Sequence, residues 1–92
     1  MNDKKSVHIF LSGRVQGVGF RAFIRKNAQS LDVNGWAKNL ADGRVEAVFT
    51  GEKNKVNELI NLVKEGPRFA KVNNIEIKDE KYYEFNSFKI KY

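Results

Sequence analysis

The residues with the clearest chemical purpose are Gly13-Arg14-Val15-Gln16-Gly17-Val18-Gly19-Phe20-Arg21, in which three glycines alternate with larger residues and an arginine closes the run. Glycines let a backbone turn tightly and present its N–H groups with no Cβ in the way. Successive N–H groups aimed into one concavity make an anion nest. A helix starting at the end of the run would add unpaired amides and the positive end of its dipole. Arg21 supplies a fixed fork of donors suited to phosphate oxygens. The chemistry indicated is the holding of a phosphoryl group. No Ser, Thr or Cys lies between Val15 and Arg21, so such a loop holds phosphate without attacking it. The attacking group would be water, and a residue elsewhere must position it.

The elements that would position this loop follow from the apolar pattern. Val7, Ile9 and Leu11 alternate through residues 6–13 and predict a strand whose other face carries His8 and Phe10. Phe20, Phe23, Ile24, Ala28 and Leu31 fall on one stripe and predict a helix from Arg21 to about Asp32, with Asn34-Gly35 marking its end. Residues 35–41 and 44–51 read as two strands of a hairpin around Asp42-Gly43. A two-residue loop would pair Ala41 with Arg44 and set Asn39 opposite Glu46. A three-residue loop, Ala41-Asp42-Gly43 with Gly43 left-handed, would pair Leu40 with Arg44 and Asn39 with Val45. The second register groups Ala37 and Asn39 with Val45, Ala47 and Phe49 on the more apolar face, and is preferred for that reason. It leaves the Asn39 amide at the margin of a core face, where a polar group needs a partner or a purpose.

Residues 52–65 give the clearest helix, with Val56, Leu59, Ile60 and Val63 on one stripe and Gly66-Pro67 as its stop. Residues 72–78 alternate through Ile75 and Ile77. Phe88, Ile90 and Tyr92 alternate with Lys89 and Lys91 in a short last strand. The order β-α-β-β-α-β plus a terminal strand predicts an α+β protein. It is a ferredoxin-like split β-α-β sandwich, with two helices on one face of an antiparallel sheet and residues 1–92 as one domain.

Composition bounds the function further. A chain of 92 residues with 41% apolar residues forms a small globular domain rather than a disordered chain. The absence of cysteine removes disulfides, thiolate metal sites and thiol nucleophiles together. His8, the lone histidine, reads as a strand residue on the less apolar face rather than a general base, and one histidine is too few for a transition-metal site. The net charge of +6 suits a small anionic substrate or nucleic acid. Its lysines and arginines are scattered among acids from Lys4 to Lys91, which argues against an extended phosphate-tracking stripe. The polar start and the short apolar run after it fit neither a signal-peptide core nor a membrane span. A soluble, cytoplasmic protein with no membrane partner is expected, and nothing demands more than a monomer.

Two weaker motifs are set aside. Gly17-x-Gly19-x-x-Ala22 formally matches a dinucleotide fingerprint, but the chain is too short for that domain, and an antiparallel hairpin follows where a parallel unit should be. Gly19, Phe20 and Phe23 faintly resemble an RNA-recognition aromatic motif. That motif belongs on a central strand, whereas these residues fall in a loop and on a helix.

Two segments together resemble the acylphosphatase family. The first is Leu11-Ser12-Gly13-Arg14-Val15-Gln16-Gly17-Val18-Gly19-Phe20-Arg21. The second is Gly35-Trp36-Ala37-Lys38-Asn39-Leu40-Ala41-Asp42-Gly43-Arg44-Val45, continuing through Glu46 to Gly51. Both match that family's signatures without a gap, and Gly66-Pro67-x-x-Ala70-x-Val72 resembles its turn into the fourth strand. The resemblance implies hydrolysis of the carboxyl-phosphate bond of small acyl phosphates to a carboxylate and inorganic phosphate, with no metal or organic cofactor. It assigns phosphate binding to Arg21 and orientation of the nucleophilic water to Asn39. Backbone N–H groups of Val15, Gln16, Gly17, Val18, Gly19 and Phe20 would line the phosphate cradle. Inorganic phosphate, as product, would inhibit competitively. An acyl phosphate already carries a good leaving group, so positioning and charge stabilisation suffice. Two alternatives stand beside this: an anion-binding module without turnover, such as a partner of a carbamoyl-transferring enzyme, and a nucleic-acid-binding module of the same fold.

Overall fold

The computed structural model describes residues 3–92. Strand β1 (Lys4–Arg14) buries Val7, Ile9 and Leu11 completely and turns His8 and Phe10 to the other face. Helix α1 (Phe20–Ser30) buries Phe20, Ile24 and Ala28, the stripe that the spacing predicts. The chain leaves that helix through Leu31 and Asp32, whose φ of 57° makes the turn. Aspartate tolerates this left-handed conformation better than most residues. Asn34-Gly35 therefore does not end the helix but opens strand β2 (Asn34–Asn39). Gly35 is needed there for another reason: a Cβ would lie 1.9 Å from the Val48 carbonyl oxygen of the paired strand.

Strand β3 (Val45–Glu52) completes the hairpin. Its register is that of the three-residue loop: Asn39 pairs with Val45, Ala37 with Ala47 and Gly35 with Phe49. Leu40 N–H donates to the Arg44 carbonyl at 2.8 Å, and Gly43, at φ +96°, closes the turn. Helix α2 (Lys53–Glu65) buries Val56, Leu59, Ile60 and Val63 and stops at Gly66. Strands β4 (Lys71–Glu80) and β5 (Phe88–Lys91) follow, β4 running further at both ends than its alternation suggests.

The strands lie in the order β4-β1-β3-β2-β5. The first four pair antiparallel, as expected of this fold. The fifth does not. It pairs parallel with β2, Ala37 opposite Ile90, so the sheet is mixed rather than antiparallel throughout. The cause is the path of the chain. Strand β4 ends at the end of the sheet where β2 begins, and residues 81–87 cross that end to the far edge. Asn34 Nδ2 there donates to the Phe85 carbonyl at 2.8 Å, and Gly35 N–H to the Ser87 carbonyl at 3.0 Å. The last strand can then only run in the direction of β2.

Both helices share one core with the inward residues of the sheet. Helix α1 packs over β2 and β5, and α2 over β1, β3 and β4. The topology brings three carboxyl-terminal strand ends, those of β1, β2 and β5, to one end of the sheet beside the start of α1. Among the described residues, no helix is long and apolar enough to cross a membrane.

Candidate active site

The loop between β1 and α1 lies at that end. Gly17 and Gly19 both take φ of 74°, a conformation that side chains rarely adopt and that lets the loop double back on itself. Gly19 also caps α1, and no acidic residue occupies the first turn of the helix to compete for an anion. Among the described residues, the backbone amides of Gln16, Gly17, Val18 and Gly19 donate to no protein group. Phe20 anchors the loop from below. Its ring is 2% exposed and meets the Phe23 ring edge-on at 6.1 Å. Burial of such a ring is worth about 2–3 kcal/mol, enough to hold the helix start in place.

A cavity of about 270 Å³ opens in front of the loop. Val15, Gln16, Gly17, Gly19, Phe20 and Arg21 all line it. Val18 is the exception among the seven residues expected to bind phosphate, because its side chain packs toward the core. Asn39, at the end of β2, lines the same cavity. The two residues singled out by the sequence, 18 positions apart in the chain, thus meet at one hollow.

Their surroundings differ. Arg21 is braced by the last strand: its Nη1 donates to the Lys91 carbonyl at 3.2 Å, and its guanidinium lies 4.8 Å from the centre of the Tyr92 ring. Asn39 has no such brace. Its Oδ1 is buried and, among the described residues, has no hydrogen-bond partner. A buried acceptor left unpaired costs about 1–3 kcal/mol, so a site that keeps one invites a reason.

Sequence reasoning missed two contributors. Gln16 was expected to act through its backbone alone. Its side-chain Nε2 also donates to the Leu40 carbonyl at 2.8 Å and the Arg44 carbonyl at 2.9 Å, bolting the loop to the mouth of the hairpin. Strand β5 was expected only to extend the sheet, yet Ile90 and Tyr92 line the cavity. His8 stands apart, on the helix-free face, with Nε2 2.6 Å from Glu46 and Nδ1 3.4 Å from Glu80. Among the described residues, no group of three or more His, Asp or Glu is placed to hold a metal ion. A larger hollow of about 570 Å³ on the helix-free face, by Trp36, Val48 and Tyr83, contains neither arginine nor Asn39.

Fold and site together define a ferredoxin-like α+β protein with a glycine-bent loop of free amides, an arginine and an asparagine whose Oδ1 is unpartnered among the described residues, all at one end of its sheet. Comparison with known proteins takes this further. The acylphosphatase family profile matches residues 7–90. An acylphosphatase of Syntrophus aciditrophicus strain SB is 48% identical over 89 residues, covering 96% of this chain and 93% of the relative. A solved acylphosphatase from Coxiella burnetii has a TM-score of 0.93 at 37% identity, covering 98% of this chain and 94% of that one. One from Bacillus subtilis has a TM-score of 0.91 at 39% identity, covering 95% and 98%. The chain belongs to the acylphosphatase family, and its activity is that of a hydrolase of this family.

Proposed function

We propose that this acylphosphatase cleaves small acyl phosphates with Arg21 and the amides of residues 15–20 holding the phosphoryl group and Asn39 holding the attacking water. The observation that carries the assignment is the placement of Asn39, whose Oδ1 has no hydrogen-bond partner among the described residues, on the cavity that Arg21 also lines. An acceptor of this kind takes one water proton in a hydrogen bond and leaves an oxygen lone pair free for phosphorus. The water oxygen forms the new P–O bond as the bond from phosphorus to the carboxyl oxygen breaks. The carboxylate departs with that electron pair, and the proton lost by water ends on inorganic phosphate or in solvent. The cradle amides and the Arg21 fork meet the phosphoryl oxygens, where charge redistributes during the step. A monomeric state, residence in the cytoplasm and a role for residues 1–92 as one domain belong to the same proposal.

The test is hydrolysis of benzoyl phosphate in EDTA and heavy-oxygen water. Turnover with the label in inorganic phosphate is expected. Label in benzoate would mean attack at the carbonyl carbon and would overturn the roles given to Asn39 and Arg21. Anion binding without turnover would favour a non-catalytic module instead.

A further inference from the structure

Arg25 stands one helical turn beyond Arg21 on α1, and both arginines line the 270 Å³ cavity. Residues four apart on a helix share a face, with about 6 Å of rise between them. Their environments are unlike. Arg21 is held by the Lys91 carbonyl and the Tyr92 ring. Arg25 is exposed and, among the described residues, enters no ion pair, hydrogen bond or cation–π contact. The chain carries 11 acidic residues, yet none of them lines this cavity. Ala22, between the arginines on the helix, adds only a methyl group to the wall, and Ile90 adds apolar surface.

The cavity therefore has two cationic stations. The phosphoryl group is accounted for by the first, where Arg21 adjoins the loop amides. The second lies a turn away across apolar wall. We infer that Arg25 reads the acyl group, and that this enzyme prefers acyl phosphates bearing a second anionic group, a carboxylate or phosphate roughly two or three carbons from the acyl carbon, within reach of one helical turn. This inference rests on the phosphoryl orientation given under the proposed function. A guanidinium is well matched to either anion by its planar fork. Because the pair would be partly exposed, its contribution is modest and screened by salt.

The experiment compares succinyl phosphate with butanoyl phosphate, which share a four-carbon chain and differ by one carboxylate. The quantity read is the ratio of their kcat/KM values in the wild type, Arg25→Lys and Arg25→Gln. The ratio should fall about three- to tenfold in Arg25→Gln, with Arg25→Lys between it and the wild type. Raising the ionic strength should shrink the wild-type ratio toward that of Arg25→Gln. A ratio equal in wild type and Arg25→Gln overturns the inference. So does an equal loss on both substrates, which would mean that Arg25 serves the phosphoryl group common to both. If the wild type turns over neither substrate, the proposed function itself has failed, a result distinct from an unchanged ratio.

Discussion

The Gln16 side-chain amide donates to the Leu40 carbonyl at 2.8 Å, tying the loop between β1 and α1 to the residue that follows Asn39. Its other proton goes to the Arg44 carbonyl at 2.9 Å, which also accepts the Leu40 N–H. On the proposed mechanism, one side chain therefore sets the distance between the group that would hold phosphorus and the group that would hold water. Replacing Gln16 by alanine leaves the backbone donors in place but frees the hairpin mouth. Gln16→Ala should lower kcat about tenfold, since a misplaced nucleophile loses its alignment, while phosphate affinity changes less. Gln16→Glu should be worse, because a carboxylate cannot donate to two carbonyls. Kinetics and phosphate titration on the same preparations check this. A kcat within twofold of wild type in both variants would show that the clamp does not position Asn39.

Arg21 carries a second prediction. Its fork is pre-aimed by the Lys91 carbonyl and the Tyr92 ring, an arrangement that suits a planar guanidinium and not a flexible ammonium. Arg21→Lys and Arg21→Ala should both lose most activity, on the order of 10² or more. Inorganic phosphate should inhibit the wild type competitively and bind both variants poorly. An active Arg21→Ala enzyme would remove Arg21 from the site.

How far the sequence disclosed this site depended on how local each feature is. The hairpin register was legible because a one-residue slip would have carried Val45, Ala47 and Phe49 out of the core, and the observed pairing of Asn39 with Val45 follows from that. The helical stripes were legible for the same reason. The end of α1 was misplaced because Asn34-Gly35 looks like a stop signal, whereas Gly35 is required by the close approach of the Val48 carbonyl, a contact that no local pattern reveals. The role of the Gln16 side chain could not be read either, since its acceptors lie 24 and 28 positions away. The parallel pairing of β5 was hidden for a related reason. It is dictated by the crossing of residues 81–87, which have no alternation, and with it came the Lys91 and Tyr92 contacts to Arg21.

A third prediction concerns the hairpin turn and pH. Arg44 N–H donates to Asp42 Oδ1 at 3.1 Å, and Arg44 Nε to Oδ2 at 2.9 Å. The backbone hydrogen bond from Arg44 is the largest cause holding the Asp42 carboxyl below its usual range; desolvation opposes it, and the Arg44 guanidinium adds to the lowering. A carboxyl whose folded value is depressed stabilises the fold above its unfolded value, and that contribution is lost as pH falls through the folded one. Asp42→Asn keeps an acceptor oxygen but not the charge. Its thermal midpoint should lie slightly below wild type at neutral pH, and the deficit should shrink as pH drops below about 4. Melting curves across that range decide it: a deficit that does not vary with pH would mean that the charge contributes nothing to the turn.

The last prediction concerns Asn39, for which a structural and a catalytic role predict opposite results. A structural amide makes hydrogen bonds that folding needs, so its removal lowers stability. Asn39 Oδ1 makes none among the described residues and is nevertheless buried. Replacing it by alanine removes an unsatisfied acceptor, a group that costs about 1–3 kcal/mol to bury, so the unfolding midpoint of Asn39→Ala should hold or rise. Phosphate should still bind with near wild-type affinity, because Arg21 and the loop amides are untouched. Turnover should nevertheless fall steeply, by about 10²–10³, the usual loss for one preorganised polar partner of a reaction. Loss confined to kcat is the mark of an interaction made with the nucleophile rather than with the bound anion. Measuring kcat, phosphate affinity and the unfolding midpoint on one Asn39→Ala preparation separates the two roles. Turnover per folded molecule within a few-fold of wild type would remove Asn39 as the holder of water, and the attacking group would then have to be positioned from elsewhere on the cavity wall.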